Sequence, residues 1–265
     1  MLEFLQTQQL PVILGVTFAL ILVLCGVIVF AVRIALRAMG YDDTKTLPVN
    51  PSMITATSGV FALMMAFSAA SIWTDFLQAR AAVLREATAL ENVFGLANGL
   101  PAELRDTVKN SVINYAEGVL ERDWPAMARR IDISDPIYAS TDRVHVHLTD
   151  FLSSHAAQAG APQITSALLN QLFEARSARI SRLTLASAGL SWAQWCALFI
   201  LVGAVFATIA FVHHQHRRSQ VVSLALYGSA AAAAFFVIIA HEWLFVGRTS
   251  VSPGPFLDLA AKTVS

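Results

Sequence analysis

Four long runs without a charged side chain alternate with charged segments along this sequence. They contain 29, 29, 34 and 23 residues. A helix that crosses a bilayer needs about 20 mostly apolar residues, because its backbone polar groups find no water in hydrocarbon. All four runs are long enough, so the pattern predicts four membrane-spanning helices. The runs are Phe4–Val32, Thr46–Thr74, Leu183–His216 and Ser219–His241.

The second run differs from the others in its many small and hydroxyl-bearing residues. Small side chains let helices approach closely in lipid, where no hydrophobic effect drives helices together. A helix that faces only lipid rarely needs them, so this span is expected to face protein or water. The residues are Ser52, Thr55, Thr57, Ser58, Gly59, Ser68, Ser71 and Thr74.

The helical pattern continues past the second span into a polar segment. Apolar residues recur every three or four positions from Asp75 to Asn98, and Gly99 and Pro101 end the pattern. No β-pattern is visible, so the sequence predicts an all-α, polytopic membrane protein with a helical-bundle domain between spans two and three. Further helices are predicted over about Pro101–Glu121, Pro136–Ala159 and Pro162–Arg182.

The predicted segments follow from these runs and breakers. They are a first transmembrane helix (1–37), a short loop (38–51), a second transmembrane helix (52–74), a polar helical bundle (75–189), a third transmembrane helix (190–212), a basic and histidine-rich turn (213–220), a fourth transmembrane helix (221–246) and a C-terminal tail (247–265).

Composition agrees with a membrane protein and excludes several other classes. The chain is 56% hydrophobic and 14% charged, whereas soluble domains carry about 25% charged residues. A net charge of zero gives no reason to expect nucleic acid as a partner. Cys25 and Cys196 both lie within predicted spans, so neither a disulfide framework nor a metal-binding cysteine pattern is present.

One face of the second span is a candidate pore lining. Six of its residues follow one another at spacings of three and four, so they share a face of the helix. Thr and Ser side chains solvate ions, Phe61 and Met64 form an apolar constriction, and Asp75 places a ring of charge at the mouth. The alternative is a helix-packing face, because small-residue stripes are common in membrane bundles. The six are Thr57, Phe61, Met64, Ser68, Ser71 and Asp75.

Five arginines flank the predicted membrane segments and define a candidate basic collar. One interpretation is that they contact lipid headgroups. The other is that they attract anions towards a pore entrance. The sequence does not separate these roles. The five are Arg80, Arg85, Arg176, Arg179 and Arg182.

Other polar residues give no catalytic or metal-binding pattern. His213, His214 and His216 lack the spacing of a structural metal site and are interpreted as a polar turn. His241 and Glu242 are interpreted as solvated residues at a membrane interface. No nucleophile elbow, phosphate loop or paired-carboxylate site is visible. The sequence therefore predicts no enzyme activity, no cofactor and no metal.

Three segments carry a resemblance to a known family. WTDFLQARAAVLREATALENVFGLANGLP follows the second span from Trp73, EARSARISRL precedes the third span, and HEWLFVGRTSVSPGPFLDLA ends at Ala260. The order of these parts resembles the bacterial bestrophin-like domain family, which is of unknown function and is named for a distant similarity to bestrophin channels. In the last segment Leu244 stands where the family usually has Pro, and His241 and Glu242 stand where a more Asp-like start is common. The residues that fit the family ending are Phe245, Gly247, Val251, Ser252, Pro253 and Phe256.

The resemblance implies a homo-oligomeric ion channel. Bestrophins are pentamers with four spans, a helical domain between spans two and three, and a pore lined by span two. The implied partners are ions, membrane lipid and further copies of the chain, and the implied location is the bacterial inner membrane. The other hypothesis is a non-conducting membrane scaffold or sensor whose helical domain binds a partner or ligand.

Charge counts leave the orientation of the chain open. Lys and Arg in short loops favour the cytoplasmic side. Arg33, Arg37 and Lys45 in the first loop and Arg217 and Arg218 in the last therefore favour both short loops inside, with the polar domain and both termini outside. The basic collar supports the opposite arrangement, which is also that of bestrophins, with an equal number of charges.

Overall fold

The computed structural model describes residues 10–41, 50–155, 162–247 and 249–262. Within these ranges the chain forms helices and no strand, which confirms the all-α prediction. Residues 42–49 of the predicted first loop, including Lys45, lie outside the described part of the chain. The α-helices are α1 (Leu10–Ala38), α2 (Ser52–Leu96), α3 (Ala102–Gly118), α4 (Trp124–Ala128), α5 (Ala139–Ser154), α6 (Pro162–Ala186), α7 (Trp192–Val212), α8 (Arg217–His241) and α9 (Gly254–Ala260).

Four of these helices are long and apolar enough to cross a membrane, which confirms the four-span prediction. They are α1, α2, α7 and α8. Helix α2 has 45 residues, about twice the length that a span requires. The helical pattern after the second span therefore belongs to the same helix, as predicted. Helix α2 ends at Leu96, and a 3-10 turn at Ala97–Gly99 follows.

The membrane unit, up to Trp73 and from Gly189 to Glu242, is the first of two compact units. Its core consists of large apolar side chains from all four spans, with Ile21, Phe61, Phe206 and Phe235 among the buried ones. Helix α7 begins with a capping box: the Ser191 hydroxyl accepts from the Gln194 backbone N–H at 3.3 Å, and the Gln194 side chain accepts from the Ser191 backbone N–H at 2.8 Å. This cap fixes the first residue of the third span.

The polar unit comprises Thr74–Ala188 and the residues from Trp243 onward. The second part of α2 supplies its central stripe, with Val83, Leu90 and Val93 buried. Between α3 and α4 the chain forms one π-helical turn, Val119–Asp123. Such turns insert an extra residue and change which side chains face inward.

The C-terminal segment is an integral part of the polar unit rather than a free tail. Phe256 of α9 is fully buried, and the rings of Trp124 and Phe245 lie 5.3 Å apart in edge contact. The Val251 backbone N–H donates to the Leu244 carbonyl at 2.8 Å and closes the loop before α9. The segment with the most specific family resemblance therefore completes the core of this unit.

Candidate functional site

Within the described ranges, the membrane part of α2 is covered by its own chain on one side only. Phe61, Met65 and Ile72 belong to the buried core of the membrane unit. The Phe61 ring lies 6.1 Å from the ring of Tyr227 and 6.1 Å from that of Phe235, both on α8. This pairing fixes which side of α2 faces the bundle.

The structure separates the six predicted pore residues into two groups. Phe61 and Ser68 are buried within the chain's own core, whereas Ser71 is exposed and Thr57, Met64 and Asp75 are half-buried. The hydroxyls bond to their own helix: Thr57 Oγ1 donates to the Met53 carbonyl at 2.8 Å, and Ser68 Oγ donates to the Met64 carbonyl at 2.9 Å. Such bonds satisfy the hydroxyl donors but leave oxygen lone pairs available.

The uncovered side of α2 combines small residues with a few large apolar ones. Ala56, Ala66 and Ala70 are exposed there, together with Leu63 and with Phe67, whose exposed fraction is 65%. The uncovered side of α1 is different in kind, because it carries mainly large aliphatic residues of the type that lipid tails solvate. The aliphatic residues exposed on α1 include Leu14, Leu20, Leu22, Val23, Val27 and Ile34, and the aromatic Phe30 is exposed with them.

A groove runs between α2 and α8 beside the Phe61 contact. Its volume is about 680 Å³. Gly59, Ala62 and Ala66 line it from α2, and Ala230 and Ala234 line it from α8. The short side chains keep these two helix surfaces open, so this part of α2 is accessible from outside the chain.

We expect Phe61→Leu to lower the stability of the folded protein. Leucine keeps most of the apolar volume but loses the ring contacts with Tyr227 and Phe235, a change of about 1 kcal/mol. Thermal unfolding in detergent measures this change. An unfolding midpoint equal to that of the natural protein would show that these ring contacts do not stabilise the membrane unit.

Two of the five arginines in the predicted basic collar are not on the surface. Arg80, Arg85 and Arg176 are exposed, whereas Arg179 and Arg182 are buried in the polar unit. The structure differs from the prediction because these two side chains lie on the inward face of α6, where buried carboxylates compensate their charge. They are part of an ion network rather than of a basic surface.

The buried charge network is centred on Arg182. Its Nε donates to Glu86 Oε2 at 2.7 Å, and its Nη2 donates to Glu86 Oε1 at 2.9 Å, which is a bidentate pair. A second carboxylate, Asp123, lies 3.3 Å from Arg182 Nη2 and 3.2 Å from Arg179 Nη2. Glu86, Asp123 and Arg182 are fully buried. The charges of two carboxylates and two guanidinium groups thus balance each other.

Neutral side chains complete the hydrogen bonding of this network. Tyr115 Oη donates to Glu86 Oε1 at 2.9 Å, and Thr141 Oγ1 donates to Asp123 Oδ1 at 3.0 Å. Burial alone lowers the pKa of Arg182, but attraction to Glu86 and the bonds to it outweigh burial and raise that pKa. Burial, followed by the Glu86 charge, raises the pKa of Tyr115. The phenol therefore stays neutral and donates to the carboxylate.

Sequence reasoning missed this network, although a signal was present. Glu86 falls within the apolar stripe of α2, next to the buried Ala87, so a charge at this position requires a partner. Arg179 and Arg182 are three apart on α6 and therefore share a face. The π-helical turn that brings Asp123 to them has no comparable sequence pattern. The partners could be suspected from the sequence, but their pairing could not.

His145 is a buried titratable group next to the network. Its Nε2 donates to the Leu172 carbonyl at 2.8 Å, and its Nδ1 is buried without a hydrogen-bond partner in the described part of the chain. Burial lowers its pKa, the bond to Leu172 opposes this shift, and the charge of Arg176 adds to it. The imidazole is therefore held in its neutral form.

We expect the polar unit to lose stability as the pH falls below about 6.5, and His145 to account for part of the loss. The unfolded chain takes up the proton at the ordinary pKa, whereas the folded chain takes it up only at lower pH. As the pH falls, the loss of stability begins near the pKa of the histidine in the unfolded chain and ends once the pH is below its pKa in the folded chain. Unfolding midpoints between pH 7.5 and 5.5 measure it. His145→Gln should flatten this dependence, and an equal slope in both proteins would contradict the assignment.

Other polar residues singled out by the sequence have structural partners. His213 Nδ1 lies 3.3 Å from the Ile209 carbonyl and His214 Nδ1 lies 3.1 Å from the Phe211 carbonyl, at the end of α7. Glu242 is buried, not solvated as predicted, because its Oε1 accepts from the Leu190 backbone N–H at 3.2 Å. Across the described ranges, no group of three or more His, Cys, Asp or Glu side chains is arranged to hold a metal ion.

Comparison with known proteins gives a consistent result. The family model described as the bestrophin-like domain matches residues 19–256. A search of curated proteins gave no significant match. Two solved structures of a bacterial bestrophin homolog from Klebsiella pneumoniae, each carrying one substitution, superpose with a TM-score of 0.67 at 14% identity. The first covers 94% of this chain and 99% of the homolog, and the second covers 92% and 98%. At this identity the similarity is one of fold.

Proposed function

The chain belongs to the bestrophin-like family, and from this premise we propose that several copies form an ion channel in which the Ser52–Trp73 part of α2 lines the pore. The chain is a membrane protein with four spans. In a ring of copies, each contributes one α2 to a common axis. Closed rings of identical subunits are the usual symmetry of such assemblies, and the family resemblance favours five.

The chemistry of the uncovered side of α2 is the observation that supports this role. Alanines, glycine and hydroxyl residues dominate that side, whereas α1 exposes large aliphatic residues. Small residues permit close packing of neighbouring helices, and hydroxyl groups offer ligands to ions. A helix with these properties is suited to an axis shared by several copies rather than to lipid.

We place the apolar constriction of this pore at Leu63 and Phe67. Both point away from the side of α2 that packs on α8 through Phe61, and both are exposed within a single chain. Ser71 and Asp75 follow Phe67 at steps of four and continue towards the mouth. Thr57 and Met64 flank this face, and Phe61 and Ser68 support it from behind.

The membrane unit has one strongly basic end, which bears on orientation. Arg33 Nη2 donates to Gln220 Oε1 at 2.8 Å, so the end of α1 and the start of α8 lie together. Arg37, Arg217 and Arg218 are at the same end. By the charge rule we propose that this end faces the cytoplasm of a bacterial inner membrane. A phosphatase fused after Ser265 tests the assignment, since activity means that the C-terminus is outside.

Assembly and conduction are tested together on the purified protein. Native mass spectrometry in detergent is expected to give a pentamer, and liposomes that contain the protein are expected to pass ions faster than empty ones. Separate dyes for chloride and potassium report the sign of the permeant ion. A monomer or dimer without flux for either ion would overturn the channel and favour a membrane scaffold or sensor.

A further inference from the structure

A small pocket in the polar unit combines one arginine with apolar walls. Its volume is about 290 Å³. One wall is a face of α2 that carries Phe76, Arg80 and Leu84, and the opposite wall is the loop before α9, with Ser252 and Pro255. Arg80 is the one charged group among the described residues that line the pocket. The pocket therefore offers positive charge with no lining carboxylate to neutralise it.

Arg80 is not engaged by the part of the chain that the structure describes. None of its guanidinium nitrogens makes a hydrogen bond or ion pair there, in contrast to Arg176, Arg179 and Arg182, which all contact carboxylates. A guanidinium group has five N–H donors in a planar fork that matches carboxylate and phosphate oxygens. The N–H donors of Arg80 can therefore bind the oxygens of an anion.

The Ser252 hydroxyl supplies a second donor on the opposite wall. Its Oγ accepts from the Gly254 backbone N–H at 3.1 Å, which orients the oxygen and leaves the hydroxyl hydrogen available. The neighbouring Ser250 is already committed, because its Oγ donates to the Gly247 carbonyl at 2.7 Å. Of the two serines, Ser252 is thus the one able to donate to a ligand.

We propose that this pocket binds a small organic anion. A carboxylate or phosphate group bonds to Arg80 and Ser252, and a short apolar body packs against Phe76, Leu84 and Pro255. Ligand sites generally have this character, with mostly apolar walls and a few polar groups that set orientation. Phosphate and carboxylate occur both on free solutes and on anionic lipid headgroups, so the shared chemistry defines the site. Binding here does not depend on conduction through the proposed pore.

Benzoate is a suitable probe for the full chain in detergent, because it is soluble and combines a carboxylate with an apolar ring. Thermal unfolding and ligand-detected NMR measure its binding at constant ionic strength. A ligand that binds only the folded state raises the unfolding midpoint. We expect benzoate to raise the midpoint and benzamide, which is neutral and of equal shape, to leave it unchanged.

Two variants and a matched control locate the site. Arg80→Gln removes the charge and is expected to weaken benzoate binding by about tenfold or more, since charged hydrogen bonds carry most of the affinity. Leu84→Trp keeps Arg80 but fills the pocket, and it should abolish binding. Arg85→Gln removes an exposed arginine that does not line the pocket, and it should bind like the natural protein.

Nanodiscs of two lipid compositions distinguish a lipid headgroup from a free solute as the source of the anion. Phosphatidylglycerol nanodiscs should compete with benzoate if a headgroup occupies the site, whereas affinity in phosphatidylglycerol and phosphatidylcholine nanodiscs should be equal if the ligand is a free solute. Either outcome supports the site. Benzoate binding that survives both Arg80→Gln and Leu84→Trp would overturn it. So would a natural protein that binds neither benzoate nor phosphatidylglycerol better than these variants.

Discussion

Arg182→Met is expected to destabilise the protein by about 3–5 kcal/mol, because removal of one partner leaves buried charge uncompensated. Glu86 would lose both bonds of a bidentate pair, and Asp123 would keep the charge of Arg179 and the hydroxyl of Thr141. Methionine preserves much of the volume of the arginine stem, so lost packing contributes little. The unfolding midpoint should fall by about 10 °C for a chain of this size.

A double substitution separates the charge effect from general damage to the core. Glu86→Leu combined with Arg182→Met replaces a buried ion pair by apolar groups and leaves Asp123 paired with Arg179. Such replacements are often close to neutral, so the double variant should be clearly more stable than Arg182→Met alone. If the loss of stability in the double variant equals the sum of the losses in the two single variants, the two side chains are not energetically coupled.

An arginine that is partly open to water provides the control for this experiment. Arg105 Nε lies 3.1 Å from Asp106 Oδ1, but both side chains are partly open to water. Exposed pairs contribute about 0–1 kcal/mol, so Arg105→Met should change the midpoint little. A comparable fall for Arg105→Met and Arg182→Met would contradict a special role for the buried network.

Phe67→Ala is expected to raise ion flux about tenfold, because an apolar constriction hinders ions by excluding water and a smaller side chain widens it. The expected effect rests on the proposed pore, in which Phe67 and Leu63 narrow the axis. The ring of Phe67 makes few contacts with its own chain, because 65% of this residue is exposed. Stability should therefore change little, and liposome flux per reconstituted protein is the appropriate measurement.

Phe30 provides a matched control on another helix. It is the same residue type on α1 with nearly the same exposed fraction, 67%, and the proposal places it against lipid. Phe30→Ala should leave flux unchanged. If both variants pass ions at the rate of the natural protein, Phe67 is not in the pore, whereas an increase in both would point to a general leak.

The spans were predictable from sequence because hydrocarbon tolerates only long apolar helices whose backbone bonds are internal. The second half of α2 was predictable for a related reason: the stripe with Val83, Leu90 and Val93 has helical spacing, and each of these residues is buried. Such features depend on local periodicity alone. They do not require knowledge of what lies opposite.

The inward and outward sides of the second span were not predictable in the same way. Phe61 and Phe67 are equally apolar, but Phe61 packs against the rings of Tyr227 and Phe235, which come more than 160 residues later in the sequence. The same limit applies to Arg179 and Arg182, which have the sequence pattern of a basic surface. Their charges are compensated by Glu86 and by Asp123, which lies in the π-helical turn.

The packing of Phe256 has a consequence for biogenesis. Chains are synthesised from the N-terminus, and compact units fold once all of their sequence has emerged. The polar unit requires both Thr74–Ala188 and the residues from Trp243 onward, so it remains without its last core helix while the translocon is still receiving α7 and α8. We therefore expect all four spans to enter the membrane before this unit closes, and a chain released before Phe256 is made to be inserted but without its last core helix.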